Sequence, residues 1–266
     1  VTVVLEEQSR AASQQRVIAQ FTGADPTTLP GELRAILEAA MTNAPRSLQK
    51  RIGPSELGIE CDRCLAHKLA GTPERPEAAW LPQIGTAVHE WAETVMLRHE
   101  HTRGTLGMPG RFLPECRVTV GFVGGVEISG STDVFDTHTG TVVDWKVVGT
   151  TTLKAAKAHG ASLQYQRQAH LYGKGWEDAG YQVRSVLIYF LPRNAMTLGD
   201  AYPWQTNYDR AVAEETLARA DDIADAIDDR GLQQVLASMP EHDFTGFSCK
   251  KFATPTTNNT APFGAI

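Results

Sequence analysis

The sequence is poor in cysteine, in positive charge and in long apolar runs. Its 266 residues include four cysteines, at 61, 64, 116 and 249. So sparse a set excludes the disulfide framework of a small secreted domain. No stretch approaches the ~18 consecutive apolar residues of a membrane-spanning helix. Residues Val1 to Glu7 have neither the basic nor the apolar region of a secretory leader. The expected compartment is therefore the cytoplasm, with no membrane attachment. Basic residues number 25 against 31 acidic ones, for a net charge of −6, and only eight of the 25 are lysines. That balance argues against a general nucleic-acid coat protein, but not against an enzyme that binds nucleic acid in a local cleft. No G-x-x-x-x-G-K-[ST] phosphate loop is present, so no built-in motor is expected. With 42% hydrophobic and 21% charged residues, the chain is neither disordered throughout, nor collagen-like, nor a coiled coil.

What is present is a succession of helix and strand signals. Helices are expected over about 5–21 and 31–41, with Asn43-Ala44-Pro45 as a stop before a basic linker, Arg46 to Arg51. Pro54-Ser55-Glu56-Leu57 reads as a helix start. Cys61–Leu69 reads as a short helix closed by Gly71-Thr72-Pro73. Residues 84–100 carry the clearest helical period, with Ile84, Val88, Trp91, Ala92, Val95 and Met96 on one stripe. Residues 101–114 read as a loop. Strands are expected at 117–123, 126–135 and 141–148, joined by short turns that favour an antiparallel meander. A helix over 162–179, a strand over 183–191 and helices over 208–229 and 232–238 complete the pattern. This order predicts one α/β domain with a small mixed sheet flanked by helices.

Four constellations carry chemistry. Gly85, His89 and Glu93 lie at i, i+4 and i+8, on one helix face. An imidazole is a good metal ligand there, and the glycine leaves room for a close neighbour. Gly130-Ser131-Thr132-Asp133-Val134-Phe135-Asp136 is a strand ending in acids, with Asp136 the natural turn former. In Val142-Val143-Asp144-Trp145-Lys146-Val147-Val148, an Asp and a Lys interrupt an apolar strand. At i and i+2 they project to one face, and charges in such a strand need partners or water. Gln164, Gln168 and Tyr172 form a polar stripe on the 162–179 helix, near Lys154, Lys157, Arg167 and Lys174. Each has a plainer alternative: a satisfied histidine, a turn, an edge-strand ion pair, an amphipathic helix.

Taken in order, these motifs read G-x-x-x-H-x-x-x-E, G-x-x-D, D-x-K in a strand and Q-x-x-x-Y on a helix. That order resembles the RecB-like branch of the PD-(D/E)XK nuclease superfamily, over roughly residues 54–192. The branch includes lambda-exonuclease-like enzymes and CRISPR-adaptation nucleases. The resemblance implies a restriction-endonuclease-like core over 54–252, to which the residue pattern adds a helical extension over 1–53 and the tail's composition a disordered segment over 253–266. It implies a divalent-metal-dependent DNA nuclease, most readily an exonuclease of phage or bacterial recombination and repair. His89, Asp133, Asp144 and the main-chain carbonyl of Trp145 would hold Mg²⁺ or Mn²⁺. Lys146 would be the catalytic lysine, Gln168 and Tyr172 the polar pair beside the site, and Glu93 a supporting residue. DNA is the implied partner, alone or with a helicase or recombination protein, and an oligomer enclosing DNA is compatible. Arg46, Lys50, Arg51, Lys154, Lys157, Arg193, Lys250 and Lys251 are candidate phosphate contacts.

Some members of that branch clamp an iron–sulfur cluster with one early and three late cysteines. Here Cys61 matches the early position and Cys249 the first late one, but the late C-x-x-C is missing. A cluster would have to recruit Cys64 and Cys116. A zinc site using His67, or cysteines that merely pack, are the other readings. Two rival functions stand beside the exonuclease: an iron–sulfur nuclease of the adaptation type, and a non-catalytic DNA-binding or assembly module. An unrelated zinc hydrolase is disfavoured, because such sites usually use two or three histidines.

Overall fold

The computed structural model describes residues 28–42, 52–74, 79–240 and 249–252. The expected helix at 5–21, the basic linker and the tail from 253 lie outside the described residues, as do Arg46, Lys50 and Arg51. The chain divides into two compact units, residues 1–49 with 76–83 and residues 50–75 with 84–266. In the first, helix α1 (Leu29–Thr42) carries an Arg34–Glu38 pair one turn apart, at 2.7 Å.

The second unit holds the sheet. Its elements are α2 (Pro54–Leu57), α3 (Asp62–Leu69), the bulk of α4 (Trp80–Thr105), β1 (Phe112–Val123), β2 (Val126–Asp136) and β3 (Thr141–Val148). There follow α5 (Thr150–His159), α6 (Leu163–Asp178), β4 (Ser185–Pro192), β5 (Tyr202–Asn207), α7 (Arg210–Arg230) and α8 (Leu232–Ala237). The five strands lie in the order β1-β2-β3-β4-β5. β1, β2 and β3 form the expected antiparallel meander. β3 and β4 are parallel, and β5 closes the edge antiparallel. This is the α/β architecture with a small mixed sheet flanked by helices that the pattern predicts.

Local chemistry sets the boundaries. Gly124 and Gly125 both take positive φ (54° and 74°), which the tight β1–β2 turn requires. Ser162 caps α6 by accepting from Tyr165 N, and Asp209 caps α7 by accepting from Ala211 N. Asp136 closes the β2–β3 turn by accepting from His138 N (3.0 Å) and Thr139 Oγ1 (2.8 Å).

The core gathers Val118, Val120, Ile128, Phe135, Val142, Val186, Ile188 and Phe190 from the sheet with Leu171 and Trp176 from α6. Each such side chain contributes about 1.5–3 kcal/mol by leaving water. α7 presents Ala213, Thr216, Ala220, Ile223 and Ala224 to it, a narrow stripe at helical spacing. Small residues allow the close approach: a Cβ on Gly175 would meet Val118 Cγ2 at 2.7 Å, and one on Gly173 would meet the Tyr208 ring at 2.5 Å.

Several sequence expectations need correction. The loop set at 101–114 is mostly structured, because α4 runs on to Thr105 and β1 begins at Phe112. Pro114 in that early part of β1 is tolerated on an edge strand. The helix α5 and strand β5 are additional. β5 carries Pro203, which masks a strand signal but fits a sheet edge. The helix expected over 84–100 forms as part of α4, with only Ala92 of that helix buried and Trp91 60% exposed.

Candidate active site

The site forms where β2 and β3 part. Their pairing runs from Asp136↔Thr141 to Val134↔Val143 and stops. One residue further, Asp133 turns its carboxylate into the gap, and Oδ2 accepts the Trp145 N–H at 2.6 Å. A side-chain oxygen thus replaces the carbonyl that a continued ladder would supply. In a strand the N–H and C=O of one residue face the same neighbour, so the Trp145 carbonyl is directed to the same opening. Asp133 Oδ1 lies 2.8 Å from His89 Nδ1, which ties α4 to the sheet. That hydrogen bond raises the His89 pKa, with burial acting against it.

Asp144 sits deeper and is 5% exposed. Its Oδ1 accepts from Gln168 Nε2 at 3.1 Å. Its Oδ2 is 2.7 Å from Lys146 Nζ as an ion pair, yet accepts no well-aligned hydrogen bond. Burial pushes this carboxyl up, while the Lys146 charge pulls the other way. Lys146 Nζ also donates to Gln168 Oε1 at 2.9 Å and lies 4.9 Å from the Tyr165 ring centroid. Gln168 therefore bridges acid and base, with its amide nitrogen on one and its amide oxygen on the other. Tyr172, one turn on, is buried, and burial raises its phenol. A Cβ on Gly130 would meet Pro54 Cδ at 2.9 Å and the Tyr172 hydroxyl at 3.0 Å, so this glycine makes room for the tyrosine.

Sequence reasoning missed Glu115. It lies in β1 opposite Asp133, between the pairs Pro114↔Val134 and Cys116↔Thr132. Its φ is +48°, the one positive value among described non-glycine residues. A left-handed residue with a Cβ costs about 1–2 kcal/mol, and such strain gathers at functional sites. Ligand atoms of His89, Glu115 and Asp133 lie within 4.8 Å of one another. Burial, then the charges of Asp133 and Glu93, push the Glu115 carboxyl up to about 7. Tyr165 was also missed. The one available signal was its place three residues before Gln168, on the same helix face.

The other predicted residues divide. Glu93 is close enough for its charge to act on Glu115. Gly85 does not make the expected close approach, since a Cβ there would meet nothing within 4 Å among the described residues. Gln164 and Arg167 hold α2 instead of facing the site: Gln164 Nε2 donates to Ser55 O (3.0 Å) and Arg167 Nη1 to Gly58 O (3.4 Å). Asp136 is structural, gripped by Arg111 through Nε (2.9 Å) and Nη2 (2.7 Å). Lys154 and Lys157 stand exposed on α5, with Lys157 3.8 Å from Asp200. Arg193 lines an open, mainly apolar groove of about 270 Å³ with Val88, Trp91, Val147 and Leu191. Lys251 lies 3.1 Å from Glu74.

The donor set suits a hard dication. Asp133, Asp144 and Glu115 supply carboxylates beside a single imidazole and a strand carbonyl, and oxygen-rich sets of this kind suit Mg²⁺ or Mn²⁺. Asp144 Oδ2, though paired with Lys146, accepts no well-aligned hydrogen bond, and burial and the charges of Asp133 and Glu93 raise Glu115.

The cysteines form a second centre. Cys249 Sγ lies 3.7 Å from Cys61 Sγ and 3.5 Å from Cys64 Sγ. Cys116 is not with them. It sits in β1 against the main core, with its thiol directed at Pro114 O (3.5 Å). His67 is not part of the trio either: its ring stacks on Phe252, with centroids 4.5 Å apart.

No family model and no curated protein matches this sequence. Among solved structures, the chain is similar to SSO0001, at 13% identity and a TM-score of 0.46, over 78% of this chain and 96% of that one. It is similar to the alkaline exonuclease LHK-Exo from Laribacter hongkongensis, at 12% identity and a TM-score of 0.42, over 76% and 94%. A phage-related exonuclease from Haemophilus somnus 129PT aligns at 14% identity and a TM-score of 0.36, over 55% and 71%. No described helix is long and apolar enough to cross a membrane.

Proposed function

We propose that this protein is a divalent-metal-dependent DNA nuclease of the RecB-like type, acting as an exonuclease. The observation that carries the reading is buried Asp144 paired with half-buried Lys146, set beside Asp133, His89 and Glu115 at the parting of β2 and β3. His89, Asp133, Asp144, Glu115 and the Trp145 carbonyl would hold Mg²⁺ or Mn²⁺. Such an ion, when bound, lowers the pKa of a coordinated water and neutralises charge on a phosphodiester.

The chain's own groups do the rest. The Trp145 N–H and the His89 ring fix both oxygens of Asp133, so the ligand is oriented before substrate arrives. Gln168 fixes Asp144 and Lys146 together. The ammonium of Lys146 is thereby held at the mouth of the site, where it can orient the attacking water or bind a non-bridging phosphate oxygen. Arg193, Lys154 and Lys157 are the phosphate contacts this reading favours. They supply local positive charge on an acidic protein.

The test is cleavage of end-labelled linear and covalently closed DNA with Mg²⁺, with Mn²⁺ and with EDTA. The proposal expects metal-dependent release of nucleotides from linear DNA and no attack on closed circles. Equal attack on circles would overturn the exonuclease assignment. Activity undiminished in EDTA would overturn the metal.

A further inference from the structure

Three thiols from opposite ends of the chain meet at the start of α3. Cys61 is the N-cap of that helix, Cys64 lies in its first turn, and Cys249 arrives 185 residues after Cys64. All three ligand atoms lie within 4.8 Å of one another. At 3.5 and 3.7 Å the sulfurs of Cys249 and its two neighbours are too far apart for a disulfide, whose S–S length is about 2.05 Å. They are close to the edge of a tetrahedron around one ion: a metal–sulfur bond of about 2.3 Å gives an edge of about 3.8 Å. An iron–sulfur cluster asks for something different. The ligands of a 4Fe–4S cluster each bind a different iron, which puts them farther apart than ligands on a single ion, and a 2Fe–2S cluster takes two ligands on each of two irons, so either needs a fourth ligand beside this trio. Here the fourth, Cys116, lies elsewhere, packed against the main core.

We infer that Cys61, Cys64 and Cys249 bind a single Zn²⁺ ion, with the fourth position taken by a ligand from outside the trio. The local backbone is built for thiolates. The Cys64 N–H donates to Cys61 Sγ at 3.3 Å, and the positive end of the eight-residue α3 faces the cap sulfur. On binding, three S–H protons leave to solvent as three Zn–S bonds form, with no change of oxidation state. The pair of cysteines in C-x-x-C and the distant third make the ion a clasp. It would hold the segment Cys249–Phe252 on α3, where Phe252 stacks on His67 and bridges to Glu74. A clip that closes so long a loop removes much entropy from the unfolded chain.

The test is metal analysis of full-length protein purified anaerobically, with Cys64→Ser, Cys249→Ser, Cys116→Ser and Asp144→Asn alongside. The inference expects about one zinc per chain in wild type, in Cys116→Ser and in Asp144→Asn. It expects a loss of tenfold or more in Cys64→Ser and Cys249→Ser. If either of those variants fails to fold, titration of metal-stripped wild type with Co²⁺ decides. One equivalent should produce the intense thiolate-to-cobalt absorption of a sulfur-rich tetrahedral site. Stoichiometric iron and sulfide with broad visible absorbance would overturn the inference in favour of a cluster. So would metal-free protein that takes up no Co²⁺, or zinc that is lost with Asp144→Asn and kept in Cys249→Ser.

Discussion

Replacing Asp136 by Asn separates the two carboxylates that close β2, three residues apart in sequence and opposite in role. Asp136 has an 8% exposed side chain and is held by both arms of Arg111 and by the turn it caps. The Arg111 hydrogen bonds, helped by Thr139 and the His138 N–H, lower its pKa from 3.8 to about 2. A depressed folded-state pKa means stability that is fully present above about pH 4 and is lost as pH falls toward 2. The shift of 1.8 (3.8 less 2) converts to about 2 kcal/mol at neutral pH. Arg111 is 35% exposed, and solvent screening trims the figure to about 1–2 kcal/mol. For a unit of this size that is a fall in melting temperature of about 2–8 °C. Thermal denaturation of wild type and Asp136→Asn at pH 7 and pH 3 reads it. The gap should be open at pH 7 and narrower at pH 3, while cleavage by the folded variant stays within a few-fold of wild type. Asp133→Asn should show the reverse, losing cleavage by 100-fold or more with a smaller change in melting. A variant of Asp136 that melts normally but cannot cleave DNA would refute the division of labour.

Four further outcomes follow from the same geometry. Lys146→Met should leave Asp144 as an uncompensated buried charge and destabilise the metal-free protein by about 3–5 kcal/mol; added Mg²⁺ should recover part of that loss in a melting experiment, since a ligand of the folded state stabilises it. Glu115→Gly should raise stability by about 1 kcal/mol by relieving the left-handed backbone, yet weaken Mg²⁺ activation by tenfold or more in a metal titration of cleavage. Gly130→Ala should cost about 1–3 kcal/mol in urea denaturation, because its methyl group meets Pro54 and the Tyr172 hydroxyl. Gln168→Leu should reduce cleavage while leaving DNA binding in Ca²⁺ unchanged, as expected of a residue that positions Asp144 and Lys146.

How much of this was legible in the sequence depends on what each signal required. The meander was readable because Gly124-Gly125 and the Asp136–Gly140 turn carry their own chemistry, and β3 ends at Val148 as its apolar run does. α5 was not, since Thr150-Thr151-Thr152 at its start suggests a loop or strand and its buried face is only Leu153 and Ala156. His89, Asp133, Asp144, Lys146 and Gln168 were legible because they interrupt regular periods with charged or polar groups, which a fold must either pair or use. Glu115 left no such mark. It falls between a segment that reads as loop up to Pro114 and a strand signal that starts after it, and its role arises from a positive φ and from the register that sets it across from Asp133. Convergence of Cys249 on Cys61 and Cys64 left no local pattern, since the contact is 185 residues distant, and only the family resemblance brought those cysteines together, with Cys116 wrongly among them. Gly85 shows the opposite error, a motif position to which sequence reasoning gave a packing role that its open surroundings do not support.

The most direct measurement is single-turnover cleavage of end-labelled linear DNA by wild type, Asp144→Asn and Lys146→Ala, each checked for folding by circular dichroism. The account predicts Mg²⁺-dependent cleavage by wild type, abolished by EDTA, and a loss of 100-fold or more in both variants with DNA still bound. Cleavage that survives both substitutions in a folded protein would contradict it.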